Sequence, residues 1–205
     1  KSKNTEGRHA ARVGLGLAAL LFLLPVFTVT MVRGQRASEQ PEEPIQLLPP
    51  GEVDSARTLR VLDGDSVTEM SFSDYLQGVL RAEMPASFAQ DALCAQAVAA
   101  RTYTYYKTRN GGNHGDTADI CTDHTCCQAF LSKEKAADNW GKSAERNEAK
   151  IENAVSATDG QVMLYDGAPI LAVFHSSSAG ETWNSGQVWA QDLPYLRSVS
   201  SPEGE

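Results

Sequence analysis

The sequence predicts an α+β protein in which a single transmembrane helix precedes one mixed domain of helices and β-hairpins. This prediction depends on an uncharged apolar run at residues 13–32, on two Asp-Gly turn signals, and on two helical patterns that meet at a Met-Pro pair. The chain has 205 residues, of which 41% are hydrophobic and 21% are charged, which suits one globular domain with appendages.

The N-terminal residues have the pattern of a membrane anchor. Residues 13–32 are rich in Leu, Ala, Val and Phe, and a helix of this length just spans a hydrocarbon core. The basic segment 1–12 would be a cytoplasmic tail, because positive flanks stay on that side. A cleaved signal peptide is the alternative, although its apolar region would be long and no A-x-A-like cleavage site follows. We therefore expect the remainder of the chain outside the cytoplasm.

Residues 33–57 predict an extended linker, because prolines interrupt regular structure there and acidic residues keep it solvated. The domain then occupies residues 58–205. It begins with a hairpin in which residues 58–62 and 66–70 flank Asp63-Gly64-Asp65. Because the chain starts at Lys1 and ends without a closing element, we expect it to be part of a longer protein, with a C-terminally incomplete domain.

A carboxylate is predicted at the corner between two helices. Leu76, Val79, Leu80 and Glu83 share one helical face, so the acid faces inward. Pro85 should end the first helix at about Glu83, and a capping box at residues 87–90 should start a second, Ala-rich helix that reaches about residue 108. A partly desolvated carboxylate there would have a raised pKa and could act as a general acid, or it could be a structural acid.

The cysteines predict a metal site. Three of the four cysteines fall within residues 121–127, close to two histidines, and such spacings are typical of tetrahedral zinc. The predicted ligands are His114, Cys121 and Cys127, with His124, Cys126 or a water as the fourth. A Cys121–Cys127 disulfide is the alternative. Because thiolates dominate the ligand set, the metal would be structural.

The C-terminal part predicts a helix at 144–158 and then two strands, 161–165 and 168–176, joined by Asp166-Gly167. Residues 176–180 follow the second strand, where hydroxyls and backbone groups become available to a ligand. The net charge of −8 and the sequence pI of about 5.0 exclude the basic surface that nucleic-acid binding requires.

Several of these motifs together resemble the stage II sporulation protein D family of spore-forming bacteria. The resemblance covers about residues 58–202 and is carried by Tyr75-Leu76, Gly78-Val79, Glu83-Met84-Pro85, residues 95–103, residues 174–180 and residues 194–196. It implies a lytic transglycosylase that cleaves the bond between N-acetylmuramic acid and N-acetylglucosamine in peptidoglycan and leaves 1,6-anhydro ends. Glu83 would be the single general acid and base. The metal pattern, a His upstream of two Cys with the second in a Cys-Gln pair, is also similar to that of family members.

The remaining implied roles are sugar contacts by His175, Ser176 and Ser177, and substrate binding by Gln96 and Arg101, which could instead orient Glu83 or tie the two helices together. The resemblance implies peptide-stripped glycan strands as substrate during engulfment of the forespore. It also implies a cell-wall amidase and a membrane scaffold as partners, with the domain anchored on the outer side of the bacterial cytoplasmic membrane. Two alternatives are a non-catalytic enhancer of an amidase and a zinc hydrolase, which the thiolate-rich ligand set argues against.

Overall fold

Helices and short strands alternate along the part of the chain that the computed structural model describes, residues 47–109 and 114–201. The helices are α1 (Glu52–Ser55), α2 (Phe72–Glu83), α3 (Gln90–Arg109), α4 (Lys133–Trp140), α5 (Ala144–Ala157) and α6 (Ser185–Val188), with a 3₁₀ turn at Gly141–Ser143. The strands are β1 (Thr58–Asp63), β2 (Ser66–Ser71), β3 (Ile120–Cys121), β4 (Leu164–Tyr165), β5 (Ala168–Pro169), β6 (Gly180–Glu181) and β7 (Ser200–Ser201).

The first hairpin is confirmed and forms most of a three-stranded sheet. Strands β1 and β2 pair antiparallel from Thr58↔Ser71 to Asp63↔Ser66, and Gly64 takes the positive φ that the tight turn requires. Strand β3 adds to the other edge of β1 in parallel, which gives the order β2-β1-β3. Cys121, the last residue of β3, is thereby held in the sheet opposite Leu62 of β1.

The second predicted hairpin is confirmed at its turn but is much shorter than expected. Asp166 and Gly167 both have positive φ, as a two-residue hairpin turn requires, and only β4 and β5 pair across it. Ile170 N–H still donates to the Met163 carbonyl at 3.2 Å, and residues 171–176 are not part of a strand.

The core lies where helices α2, α3 and α5 pack together and against β1. Helix α2 buries Tyr75, Leu76, Val79 and Leu80 on one face, as the periodicity predicted. Helix α5 buries Ile151 and Val155, and α3 contributes small side chains that permit close packing.

The corner between α2 and α3 agrees with the sequence prediction at the end of α2 and differs from it at the start of α3. Helix α2 ends at Glu83 because Met84, which precedes Pro85, is extended at φ −137° and ψ 134°. The predicted capping box is not formed: α3 begins at Gln90 itself, whose side-chain amide donates to the Lys150 carbonyl of α5 at 3.1 Å. The corner is therefore fixed by a contact between helices.

The domain begins earlier than residue 58. Helix α1 lies within the predicted linker, yet its Asp54 is buried and paired with Arg101 of α3. The backbone of Leu48 also bonds to the Asn153 side chain of α5 at 2.9 Å. These contacts tie the described end of the linker to the helical core.

The predicted fold class is wrong in its transmembrane helix and is corrected to a mixed α/β domain. Among residues 47–109 and 114–201, no helix combines the length and the apolar composition that a membrane crossing needs. The longest, α3, has 20 residues but carries Asp91, Arg101, Lys107 and Arg109. The predicted span at 13–32, with the tail before it, lies outside the described residues.

Gly78 in the middle of α2 is required by a close contact. A Cβ at this position would overlap the ring of Phe130, which lies directly on the helix backbone. We predict that Gly78→Ala lowers the free energy of unfolding by about 1–3 kcal/mol through overpacking, although Ala in a helix interior is otherwise favoured by about 1 kcal/mol. Urea unfolding measures the change.

The double variant with Phe130→Leu, which makes room for the methyl group, is the control and should recover much of the loss. Equal losses in both backgrounds would contradict the contact as the cause.

Candidate functional site

Glu83 is the last residue of α2 and is partly buried. Its Oε1 accepts a hydrogen bond from the backbone N–H of Ala129 at 2.9 Å. The side chain is therefore fixed by a distant part of the chain, 46 residues away. This partner was missed by the sequence reasoning, because a backbone donor leaves no residue-type signal.

Residues 127–131 form the segment that holds Glu83, and we call it the clamp segment. Besides the Ala129 contact, Phe130 stacks on Tyr75 with ring centroids 6.0 Å apart, and Leu131 N–H donates to the Gly78 carbonyl at 3.0 Å. The clamp segment thus crosses α2 in contact with its backbone, and it begins at a cysteine, Cys127.

Four side chains converge in a cluster immediately before the clamp segment. The ligand atoms of His114, Cys121, Cys126 and Cys127 all lie within 4.8 Å of one another. Both Cys126 Sγ and Cys127 Sγ are close to His114 Nε2, at 3.6 and 3.7 Å, and the two sulfurs are 3.7 Å apart. The three predicted ligands therefore meet, and Cys126 joins them.

The loop between the cysteines is shaped by Asp123. Its carbonyl accepts from the N–H groups of Cys126 and Cys127, and its carboxylate accepts from the Thr125 backbone at 2.8 Å. This turn folds the second and third cysteines back towards the first. His124, one of the proposed fourth ligands, is exposed on the outside of the turn and is not part of the cluster.

The cluster fits a tetrahedral zinc ion by distance. With Zn–S bonds of about 2.3 Å and Zn–N bonds of about 2.0–2.1 Å, tetrahedral angles place two sulfurs about 3.8 Å apart and a sulfur and nitrogen about 3.6 Å apart. The three distances among His114, Cys126 and Cys127 agree with this geometry, and Cys121 Sγ lies within 4.8 Å of each of these ligand atoms. All four cysteines, including Cys94 in α3, are free rather than paired in disulfides.

Because the thiols are buried, their deprotonation is unfavourable unless a cation lies nearby. Desolvation raises the pKa of the Cys127 thiol to about 12 and raises that of Cys121 as well. Tyr75, whose hydroxyl donates to the Cys121 carbonyl at 3.2 Å, lies beneath the cluster. Its pKa is raised by desolvation first, and then by the neighbouring Cys127, Cys121, Tyr103 and Glu83. One buried phenol therefore adjoins both the cluster and the acid.

Arg101 lies in the core and not in an accessible site. Its side chain has 0% exposure, and its Nε donates to Asp54 Oδ2 at 2.8 Å. The remaining donors bond to Thr158 Oγ1 and to the carbonyls of Val155 and Gln161. A side chain enclosed in this way ties α1, α3 and the end of α5 together, so Arg101 has the structural role that was the alternative to substrate binding. It leaves no surface for a glycan.

Gln96 and Gln128 each carry a buried Nε2 that has no hydrogen-bond partner among the described residues. Thr104 Oγ1 lies 2.9 Å from both the Ala100 carbonyl and Gln128 Oε1. Since a hydroxyl has one proton, it can donate to only one of them. If the Gln128 amide were turned by 180°, its Nε2 would instead donate to Thr104 Oγ1. Two orientations of this amide, next to Cys127, are therefore compatible with a hydrogen bond to Thr104.

His175, Ser176 and Ser177 are exposed. His175 and Ser177 line a cavity of about 530 Å³ formed by residues 173–197. Glu83 is not among its lining residues. The Ala129 contact therefore links Glu83 to the segment that begins at Cys127, whereas His175 and Ser177 line a cavity whose lining includes neither Glu83 nor the cluster residues.

Comparisons with known proteins agree with these features. The family model SpoIID, described as stage II sporulation protein, matches residues 63–165. A stage II sporulation protein D of Bacillus amyloliquefaciens is 30% identical over 91% of the chain, and one of Bacillus subtilis is 38% identical over 67%. An amidase enhancer of Bacillus subtilis is 38% identical over 59% of the chain and 14% of its own length. The chain spans 58% and 40% of the two stage II sporulation proteins.

The buried pair between Arg101 and Asp54 yields a stability prediction. Arg101→Met should lower the free energy of unfolding by about 3–5 kcal/mol, because it leaves Asp54 buried without its partner. Guanidinium unfolding followed by circular dichroism measures the loss. The double variant Arg101→Met/Asp54→Leu removes both charges and should be more stable than the single variant. A single variant as stable as the parent would contradict the structural role.

Proposed function

The chain belongs to the stage II sporulation protein D family, and from this premise we propose that it is a lytic transglycosylase that cuts peptidoglycan glycan strands during sporulation. The observation that supports this most directly is the position of Glu83. It ends α2 at a corner, partly buried, with one oxygen held by the Ala129 N–H. A carboxyl group fixed in this way is suited to deliver a proton to one place.

The proposed reaction needs one acid, because the nucleophile belongs to the substrate. Glu83 protonates the bridging oxygen between N-acetylmuramic acid and N-acetylglucosamine, and the C1–O bond breaks. The C6 hydroxyl of the muramic acid then attacks C1, and the Glu83 carboxylate takes its proton. The products are a free sugar hydroxyl and a 1,6-anhydro ring, and no water is consumed.

The Ala129 contact assigns different roles to the two carboxyl oxygens. Oε1 accepts the N–H and so directs a lone pair towards the clamp segment. The transferable proton is then best carried on Oε2, which faces away from that donor. This fixed orientation keeps the acid in one rotamer while a strand binds.

We further propose that the cluster holds a structural zinc ion through His114, Cys121, Cys126 and Cys127. Supporting this are the distances of 3.6–3.7 Å among the ligand atoms of His114, Cys126 and Cys127, and the thiolate-rich set of four donors, which leaves no open position for substrate. Such an ion supplies a rigid cross-link to the loop, because it fixes the start of the clamp segment two residues before Ala129. The donor that orients Glu83 is thereby held in place.

The substrate and partners follow from the family and are part of the proposal. We propose glycan strands already stripped of stem peptides, an amidase that removes those peptides, and a membrane scaffold of the engulfment machinery. The domain would work outside the cytoplasm, where peptidoglycan lies. An acidic chain of net charge −8 would have to recognise the anionic wall by shape and hydrogen bonds.

The second candidate function is enhancement of a cell-wall amidase without catalysis. The similarity to the amidase enhancer of Bacillus subtilis favours it, since that match also covers more than half of the chain. In this function Glu83 would have a structural or binding role and would not transfer a proton.

Replacement of the acid separates the two functions. Glu83→Gln keeps the acceptor for the Ala129 N–H but has no transferable proton, so we predict a loss of cleavage of about 100-fold to 10,000-fold. The assay is mass spectrometry of peptide-stripped glycan strands, read for 1,6-anhydro ends. Glu69→Gln on the exposed strand β2 is the matched control and should cleave like the parent. Enhancement of an amidase by a folded Glu83→Gln protein that equals the parent would support the second function.

Metal content tests the cluster. We predict about one zinc per chain by elemental analysis of protein purified without chelator. Cys126→Ser should lose most of the zinc and lower the melting temperature, whereas His124→Ala and Cys94→Ser should keep both. A metal-free parent protein with a Cys121–Cys127 disulfide would contradict the zinc site.

A further inference from the structure

The three clustered cysteines differ in their exposure. Cys121 and Cys127 are buried, with 4% and 8% of their surface exposed, whereas Cys126 is half-buried. Residues 123–125, which precede Cys126 in the turn, are all exposed. A small solute therefore reaches the Cys126 side chain more readily than either of the other two sulfurs.

A metal ion in the cluster would make this accessible sulfur reactive. Zinc binds cysteine as the thiolate, and the thiolate is the form that attacks oxidants. His114 Nε2, the nitrogen ligand of the cluster, lies 3.6 Å from Cys126 Sγ. The occupied cluster would thus present a half-buried thiolate, which is the combination typical of cysteines that peroxides oxidise.

The positions of the other two sulfurs determine which of them can form a disulfide with Cys126. Cys127 Sγ is 3.7 Å away, but the two residues are neighbours in the chain. Neighbouring Cα atoms are about 3.8 Å apart, below the range of roughly 4.4–6.8 Å that disulfides usually span. Cys121 is free of this restriction, because it lies at the end of β3 with its Sγ within 4.8 Å of Cys126 Sγ. Cys121 is therefore the better partner.

We infer that the cluster is a site of oxidative modification, in which a hydroperoxide links Cys126 to Cys121 and the zinc ion is released. The inference rests on the proposed zinc site and goes beyond it. The Cys126 thiolate attacks the peroxide, the O–O bond breaks with loss of an alkoxide or hydroxide, and Cys126 becomes a sulfenic acid. The Cys121 thiolate then attacks that sulfur and displaces hydroxide. Two electrons pass from the two sulfurs to the peroxide, and only His114 and Cys127 remain as ligands.

Loss of the ion would release the start of the clamp segment. Cys127 lies two residues before Ala129, whose N–H orients Glu83. Oxidation should therefore lower cleavage by the proposed activity, and a dithiol supplied with zinc should restore it. Outside the cytoplasm, where that activity is proposed, no glutathione pool keeps thiols reduced.

Treatment of the zinc-loaded full chain with hydrogen peroxide tests the inference without an activity assay. A colorimetric chelator should detect the release of about one zinc per chain. N-ethylmaleimide, added under denaturing conditions after the peroxide is removed, should then label Cys127 and Cys94 but neither Cys121 nor Cys126. Peptide mass spectrometry locates the labels.

Two variants serve as matched tests. Cys126→His keeps a zinc ligand at this position but removes the accessible sulfur, so it should lower the rate of zinc release by roughly tenfold or more. Cys94→Ser changes a cysteine outside the cluster and should release zinc at the rate of the parent. If Cys126→His does not bind zinc, the labelling pattern of the parent decides.

The inference would be overturned if the peroxide-treated parent kept its zinc, if Cys126→His released zinc as fast as the parent, or if Cys121 were linked to Cys127. A parent that carries no zinc when purified would refute the zinc site as well. Equal cleavage by the oxidised and reduced proteins would overturn the coupling to Glu83. Zinc release from a reduced protein that never cleaves glycan strands would refute the proposed activity and support the modification site.

Discussion

The contact between the Phe130 ring and the backbone of α2 at Gly78 determines the geometry of the candidate site. Any side chain at Gly78 would displace the ring and, with it, the Leu131 N–H that bonds to the Gly78 carbonyl. Ala129 lies one residue before Phe130, so the same displacement would move the N–H that orients Glu83. Because the clamp segment begins at Cys127, the position of the metal cluster relative to the acid depends on this contact too.

The buried Arg101 network provides the rigidity on which that geometry depends. An ion pair in the core is costly to desolvate, and burial raises the pKa of Asp54 even though Arg101 opposes the shift. The pair is retained because all three nitrogens of the guanidinium meet acceptors, which lie on α1, on α3, and at or shortly after the end of α5. Helices α3 and α5 pack against each other and against α2, and Lys150 and Gln90 fix the corner that follows Glu83.

Much of this arrangement was predictable from sequence, where local rules decide the outcome. Apolar periodicity predicted the inner face of α2, Pro85 predicted its end, and cysteine spacing predicted three of the four clustered ligands. The misses have a common physical origin, since they depend on contacts between distant residues. Gln90 bonds to α5 instead of capping its own helix, Asp54 draws the predicted linker into the core, and a backbone N–H 46 residues away orients Glu83. The sequence around Arg101 did not reveal whether its charged side chain faces solvent or the core.

The chemistry available at the corner favours a reaction that needs one acid. Two-carboxylate glycoside hydrolysis requires a second group to activate water or to attack the sugar. One acid of the neighbouring helix α5, Glu148, is bound by Arg81 through both oxygens and lies 3.4 Å from Lys133. These contacts hold its pKa below the ordinary value despite burial. A carboxylate committed to two cations is a poor base. A set of three thiolates and an imidazole would close the coordination sphere of the proposed zinc ion, so the cluster is suited to position Glu83 and not to activate water. The proposed intramolecular attack by the substrate's own hydroxyl needs no such second group.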